Sequence, residues 1–235
     1  MMSPSNMRFL ALISLVPVAL LSGMVQADTA PTSYPAMAPV DQYMMPDAAA
    51  EAAFARTAAP ASIGDSAGVM VLGKHGYTTV AKGNNGFMCL VERGWGASTT
   101  DPDFWNPKIR SPVCFNPAAA RTFMPIYLTR TKLVLEGKSK AEMLQATDVA
   151  FAKGELPVLE PGAMCYMLSK GQYLNDADKH WHPHLMFFVA GDATKSWGAN
   201  LPDSPIIAVD DPEERATIFM VWVSKWSDGS PGPAH

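Results

Sequence analysis

The chain has 235 residues, with 18 Lys and Arg against 22 Asp and Glu, for a net charge of −4. It carries no basic block. It therefore lacks the clustered cations that neutralise nucleic-acid phosphate or hold an anionic membrane surface.

Residues 1–27 have the three parts of a cleavable secretory signal. Arg8 is the only charge before Asp28, Phe9 to Leu21 form a short apolar run, and Val25-Gln26-Ala27 offers small residues at −3 and −1 of a cut. The run is shorter than the roughly 20 residues a membrane span needs, and Pro17 interrupts it. No Cys stands at the cut, and no later stretch is long and apolar enough to span. The expectation is export to the periplasm or the medium, with no membrane span after cleavage. The mature chain keeps 235 − 27 = 208 residues, enough for a real core in one domain.

Residues 28–46 are Pro-, Ala- and Met-rich without periodicity and read as a flexible or extended lead-in. A single domain is expected over residues 47–228, with a tail at 229–235. Asp47 can cap a helix running from Ala48 to Ala58, which Pro60 stops. Val69–Leu72, Tyr77–Ala81 and Phe87–Val91 read as three strands of an antiparallel meander, with turn residues at 82–86.

Residues 94–117 read as loop. Pro125 breaks any helix from Ala118 and, at a first helical position, starts another through Glu136. Ser139 with Glu142 forms a capping box. The helix behind it places Met143, Leu144, Thr147, Ala150 and Phe151 on one core-facing stripe, and Gly154 ends it.

Strands follow at Ala163–Leu168, His184–Ala190 and Thr217–Val223. The last two are apolar at both parities, which places them mid-sheet with both faces covered. Strands, then helices, then strands is an α+β order, with a mainly antiparallel sheet and two or three helices.

Three cysteines in an exported chain give one disulfide and one leftover thiol. Cys89, Cys114 and Cys165 allow three pairings. Cys89–Cys114 is favoured because the Pro-bounded loop around Cys114 can bend to meet a strand. Cys165 then reads as a buried thiol between Met164 and Tyr166.

Gly64-Asp65-Ser66-Ala67-Gly68 matches a nucleophile elbow in letters, but a strand follows it instead of preceding it, so it reads as a turn. Gly68 to His75 nearly matches a phosphate loop, but its four middle residues are apolar and want to be a strand.

His180-Trp181-His182-Pro183-His184 is the densest set of metal-ligand chemistry. In an extended chain residues two apart share a face, so His180, His182 and His184 could hold a zinc-like ion. Asp176, Asp178 and Asp192 lie within sequence reach as further ligands or acceptors. Of the Trp residues in the C-terminal half, Trp222 reads as core, while Trp181, Trp197 and Trp226 are left open between core and a ligand pocket.

Several pieces occur together in order: Ala58-Ala59-Pro60-Ala61, Asn85 through Arg93, Val113-Cys114-Phe115, Tyr166-Met167-Leu168-Ser169 and Pro183 through Phe188. In these, from about Asp47 to about Val223, the chain resembles a group of uncharacterised exported bacterial proteins. The resemblance implies no activity. It supports the Cys89–Cys114 pair. It includes His184 but neither His180 nor His182.

The sequence therefore leads to an exported binding or accessory domain without catalysis, acting on an unknown ligand or protein partner. A metal-dependent hydrolase using residues 180–184 is the alternative.

Overall fold

The computed structural model describes residues 34–233; the expected signal at 1–27 and the first residues of the lead-in lie outside them. The described part of the lead-in is anchored to the domain. A 3-10 turn at Val40–Tyr43 buries Tyr43 completely, and its hydroxyl donates to the Trp105 carbonyl at 2.8 Å. One aromatic plug overrides a composition that reads as flexible.

Eight strands form one mixed, mostly antiparallel sheet: β1 (Gly68–Gly73), β2 (Gly76–Ala81), β3 (Met88–Glu92), β4 (Ser111–Phe115), β5 (Met164–Met167), β6 (His184–Ala190), β7 (Ile207–Asp211) and β8 (Ala216–Trp222). Their order is β2-β1-β3-β4-β5-β6-β8-β7. The helices are α1 (Ala48–Arg56), α2 (Ala61–Gly64), α3 (Pro117–Thr122), α4 (Met124–Leu135) and α5 (Lys140–Ala152). The α+β expectation stands, but among the described residues there are five α-helices where two or three were expected. The extra ones are the short α2 and α3, which composition alone does not separate from loop.

Local chemistry sets most boundaries. The Asp47 side chain accepts from Ala50 N at the start of α1, and Asn116 caps α3 through Ala119 N. Ser139 and Glu142 form the expected capping box of α5. The Ser66 motif is a turn from α2 into β1, and the Gly68–Gly73 run is a strand, as expected.

The first three strands are not a meander. β1 and β2 form an antiparallel hairpin, but β3 runs parallel to β1 on its other side. Residues 82–87 cross the start of β1, where Asn84 N donates to Ser66 O and Gly68 N to Phe87 O. A Cβ on Gly83 would lie 2.1 Å from Gly68 N, so only glycine allows that crossing.

The strands expected to lie under cover on both faces are partly open. α3, α4 and α5 all follow β4; α3 and α4 pack over β2, β4 and β5, and α5 packs on α4 with Phe151 reaching Arg215 of the β7–β8 turn. On the other face the alanines of α1 sit closely on Val69, Val71, Cys89, Val91 and Cys114. β6, β8 and β7 extend beyond this cover. Trp222 is 39% exposed, not core as expected, while Trp226 is buried.

Cys89 and Cys114 are directly opposite in the β3–β4 register and form a disulfide; Cys165 is a buried free thiol. Cys114 itself lies in a strand, not a loop. Pro112 sits opposite Val91, beyond the stretch where β4 pairs with β5, so the sheet accommodates a residue with no N–H.

Candidate functional site

The strand register brings one apolar surface together. Phe115, Cys165, Met186, Met220 and Ile207 follow one another across β4, β5, β6, β8 and β7. Phe188, Ile218 and Val209 form the adjacent row across β6, β8 and β7. Side chains alternate between faces along each strand, so these rows share a face. It is the face that α4 covers only in part.

A cavity of about 370 Å³ opens there. Phe115, Phe123, Met186, Phe188, Ile218 and Met220 form its apolar floor, and Glu92, Tyr127, Asp101, Asp211 and Glu214 form its polar end. A mostly apolar concavity with a few converging polar groups is the usual form of a small-molecule site.

Glu92 ends β3 at the same parity as Met88 and Leu90, which turns its carboxylate inward. Its surroundings push it up to about 8, through burial first and then the negative charge of Glu214, against the pull of Arg130. Glu214 is buried, in the turn between β7 and β8, and is raised to about 7 by burial, despite Arg130.

Arg130, buried on α4, reaches across from the other side. It lies 3.3 Å from a Glu214 oxygen and 3.5 Å from a Glu213 oxygen, and it donates to the carbonyls of Trp95 and Ala97. Glu213 in turn accepts from Ser98 Oγ, Thr99 N and Thr99 Oγ1. This stitching fixes the 96–100 loop to the β7–β8 turn and forms the cavity rim. Arg215 in that turn has φ 54°. It adopts the left-handed backbone that reverses the chain after the inward Glu214.

Behind the polar end lies a second buried network. Arg93 donates from Nη2 to both oxygens of Glu51 at 3.0 Å, from Nε to Tyr43 O at 2.7 Å, and from Nη1 to Val91 O. Its backbone N–H donates to the Tyr127 hydroxyl, which pairs with the Tyr77 hydroxyl at 3.0 Å. Burial, reinforced by Glu92, holds the Tyr127 hydroxyl well above the usual phenol range. Burial also pushes the Cys165 thiol up, with Glu92 adding to it. The thiolate needed for nucleophilic attack is therefore disfavoured.

The expected three-histidine metal site is not assembled. The chain bends at Lys179, which has φ 55°, and Leu174 N closes a turn onto Lys179 O, so the extended spacing does not begin at His180. His180 Nδ1 bonds to Gln172 O, and His184 Nδ1 to His182 O. His182 packs on Trp222, with centroids 5.0 Å apart, and the His184 ring lies 4.7 Å from Trp181. Only 2% of His184 is exposed, and burial lowers it to about 4.

Asp176 is not near an ion site but at the centre of a surface cluster, accepting from Tyr34, Asn106, Lys108 and Tyr173. Asp178 bonds with Asn175, and Asp192 is exposed. Among the described residues no group of three or more His, Cys, Asp or Glu is arranged to hold a metal ion.

Among the described residues no helix is long and apolar enough to cross a membrane. Compared with known proteins, the chain matches no family model, no curated protein and no solved structure.

Proposed function

We propose that this chain is an exported, non-catalytic binding protein whose small ligand lies in the cavity over β4, β6, β7 and β8. The observation that carries the reading is the half-covered apolar floor. Met186, Ile218 and Met220 are only partly buried, and Val209 is exposed. Apolar area left in water forgoes about 25 cal/mol per Å². A ligand with an apolar body recovers it, and the carboxylates at one end orient that ligand.

Binding is favoured over catalysis by the state of the nearby reactive groups. Cys165 and Tyr127 are held protonated, Ser66 sits in a turn outside the cavity lining, and His180 and His184 engage backbone carbonyls. Export is supported by the N-terminal pattern and by a disulfide, which suits an oxidising compartment.

The test is fluorescence titration of the purified protein with N-phenyl-1-naphthylamine, a neutral apolar reporter. The reading predicts saturable enhancement that Met220→Trp, which fills the cavity, abolishes. No saturable binding would overturn it. So would binding that Met220→Trp leaves unchanged, because the reporter would then sit elsewhere, such as beside Trp197 on the opposite face.

A further inference from the structure

The polar end of the cavity carries more acid than base. Glu92, Asp101, Asp211 and Glu214 line it, and Glu213 closes the rim. Two cations stand against these five carboxylates, and both are committed. Arg130 is held by Glu213, Glu214 and two carbonyls. Lys140 Nζ donates to Thr99 O and lies 4.6 Å from the Phe104 ring centroid.

Glu92 is placed differently from the other acids. Among the described residues no side chain or backbone group donates a hydrogen bond to its carboxylate, and no cation pairs with it within 4.0 Å. It is partly buried where the apolar floor meets the polar end, with the cavity in front of it. A half-desolvated carboxylate there gains from a proton or from a cation. A lining of aromatic rings and thioethers also suits a cation with a carbon body: Tyr127, Phe115 and the stacked Phe123–Phe188 pair supply the rings, and Met186 and Met220 offer polarisable sulfur.

Resting on the binding reading above, we propose that the cavity takes an organic ammonium ion, its charge against Glu92 and its apolar body on the Phe115–Phe188–Met220 floor. A neutral or anionic ligand would leave Glu92 holding its proton and could take only an O–H hydrogen bond from it, without the ion pair that an ammonium forms.

Binding then exchanges one proton for one ammonium. The groups facing Glu92 are Glu214 from the β7–β8 turn, Arg130 and Tyr127 from α4 and Cys165 from β5, with Asp101 and Asp211 on the cavity wall. Tyr127 and Cys165 stay protonated across the neutral range. The proton released therefore comes from the Glu92–Glu214 pair. Below about 8, where that pair holds protons, ammonium affinity falls with pH by up to about tenfold per unit for one displaced proton.

Calorimetric titration of the purified protein with three probes of equal chain length, hexylammonium, 1-hexanol and hexanoate, at pH 6 and pH 9 tests this. At pH 9 hexylammonium is expected to bind at least about tenfold more tightly than 1-hexanol, as for a desolvated charge-assisted contact of 1.5 kcal/mol or more. That advantage should shrink by at least about tenfold at pH 6, hexanoate should bind least, and Glu92→Gln should remove the preference. If 1-hexanol equals or exceeds hexylammonium at pH 9, or if the preference is independent of pH, the ammonium proposal fails and the binding reading stands. If no probe binds, both fail. The comparison of probes on the unaltered protein decides the matter even if Glu92→Gln does not fold.

Discussion

Replacing Glu92 with Gln should stabilise the protein, and more so as the pH rises. In the unfolded chain this carboxyl ionises near its ordinary value of 4.5; in the folded state it does so near 8. The folded state therefore binds the extra proton, and the stability it contributes is complete below pH 4.5. It is lost as pH rises to about 8, because ionisation is easy only in the unfolded chain. The difference of about 3.5 in pKa, at 1.36 kcal/mol for each unit, sets an upper bound of about 5 kcal/mol. Glu92 is only partly buried and water enters through the cavity mouth, so a gain below that bound, about 2–3 kcal/mol at pH 9 relative to pH 4, is expected. Urea unfolding of both proteins at the two pH values measures it. A stability difference that is the same at pH 4 and pH 9, or a variant less stable at pH 9, would refute the placement of Glu92 in a proton-holding site.

The remaining predictions concern the frame around the cavity. Glu51→Ala leaves the Arg93 guanidinium buried without its bidentate partner and should cost about 3–5 kcal/mol; a loss below about 1 kcal/mol in denaturant unfolding would show that the pair is hydrated. Replacing both Cys89 and Cys114 with Ser opens a link across a sequence separation of 25 and should cost about 3 kcal/mol by chain entropy, with unchanged stability under reducing agent as the contrary result. His184 is held near 4, so its contribution is complete above the unfolded value of 6.5 and is lost as pH falls from there towards 4; His184→Gln should flatten the acid limb of stability between those values. Elemental mass spectrometry of protein purified without chelator should find no stoichiometric zinc. An equivalent that disappears in the His182→Ala, His184→Ala double variant would instead restore the metal reading.

Much of the architecture was legible because local chemistry specified it. The Ser139–Glu142 box, the Asp47 cap and the apolar run at His184–Ala190 each announce an element through short-range physics. β4 was hidden because Pro112 and the turn residues around it read as loop, and only the register with β3 makes it a strand. The parallel β1–β3 pair was hidden for a related reason: a tight connection suggests a hairpin, and Gly83's backbone crossing is visible only in three dimensions.

The candidate site was less legible. Its signal was present, since Glu92 breaks the inward parity of an otherwise apolar strand and Arg93 follows it with no solvent role. The histidine cluster is the denser signal along the chain. Density along a chain is not convergence in space, and the bend at Lys179 separates the two. Apolar residues at both parities of β6 and β8 predict cover on both faces. The cover is incomplete because α3 and α4 pack on β2, β4 and β5 while α4 and α5 reach only the β7–β8 turn, and the uncovered remainder is the cavity floor.

The most direct test of the binding reading is photolabelling with a neutral aliphatic diazirine, followed by peptide mapping. Saturable labelling is expected within residues 92–101, 186–188 and 209–220, and 1-hexanol should compete it away. Saturable labelling around Trp197 and Ile206 instead, or only diffuse labelling that no competitor reduces, would contradict the assignment of this cavity as the ligand site.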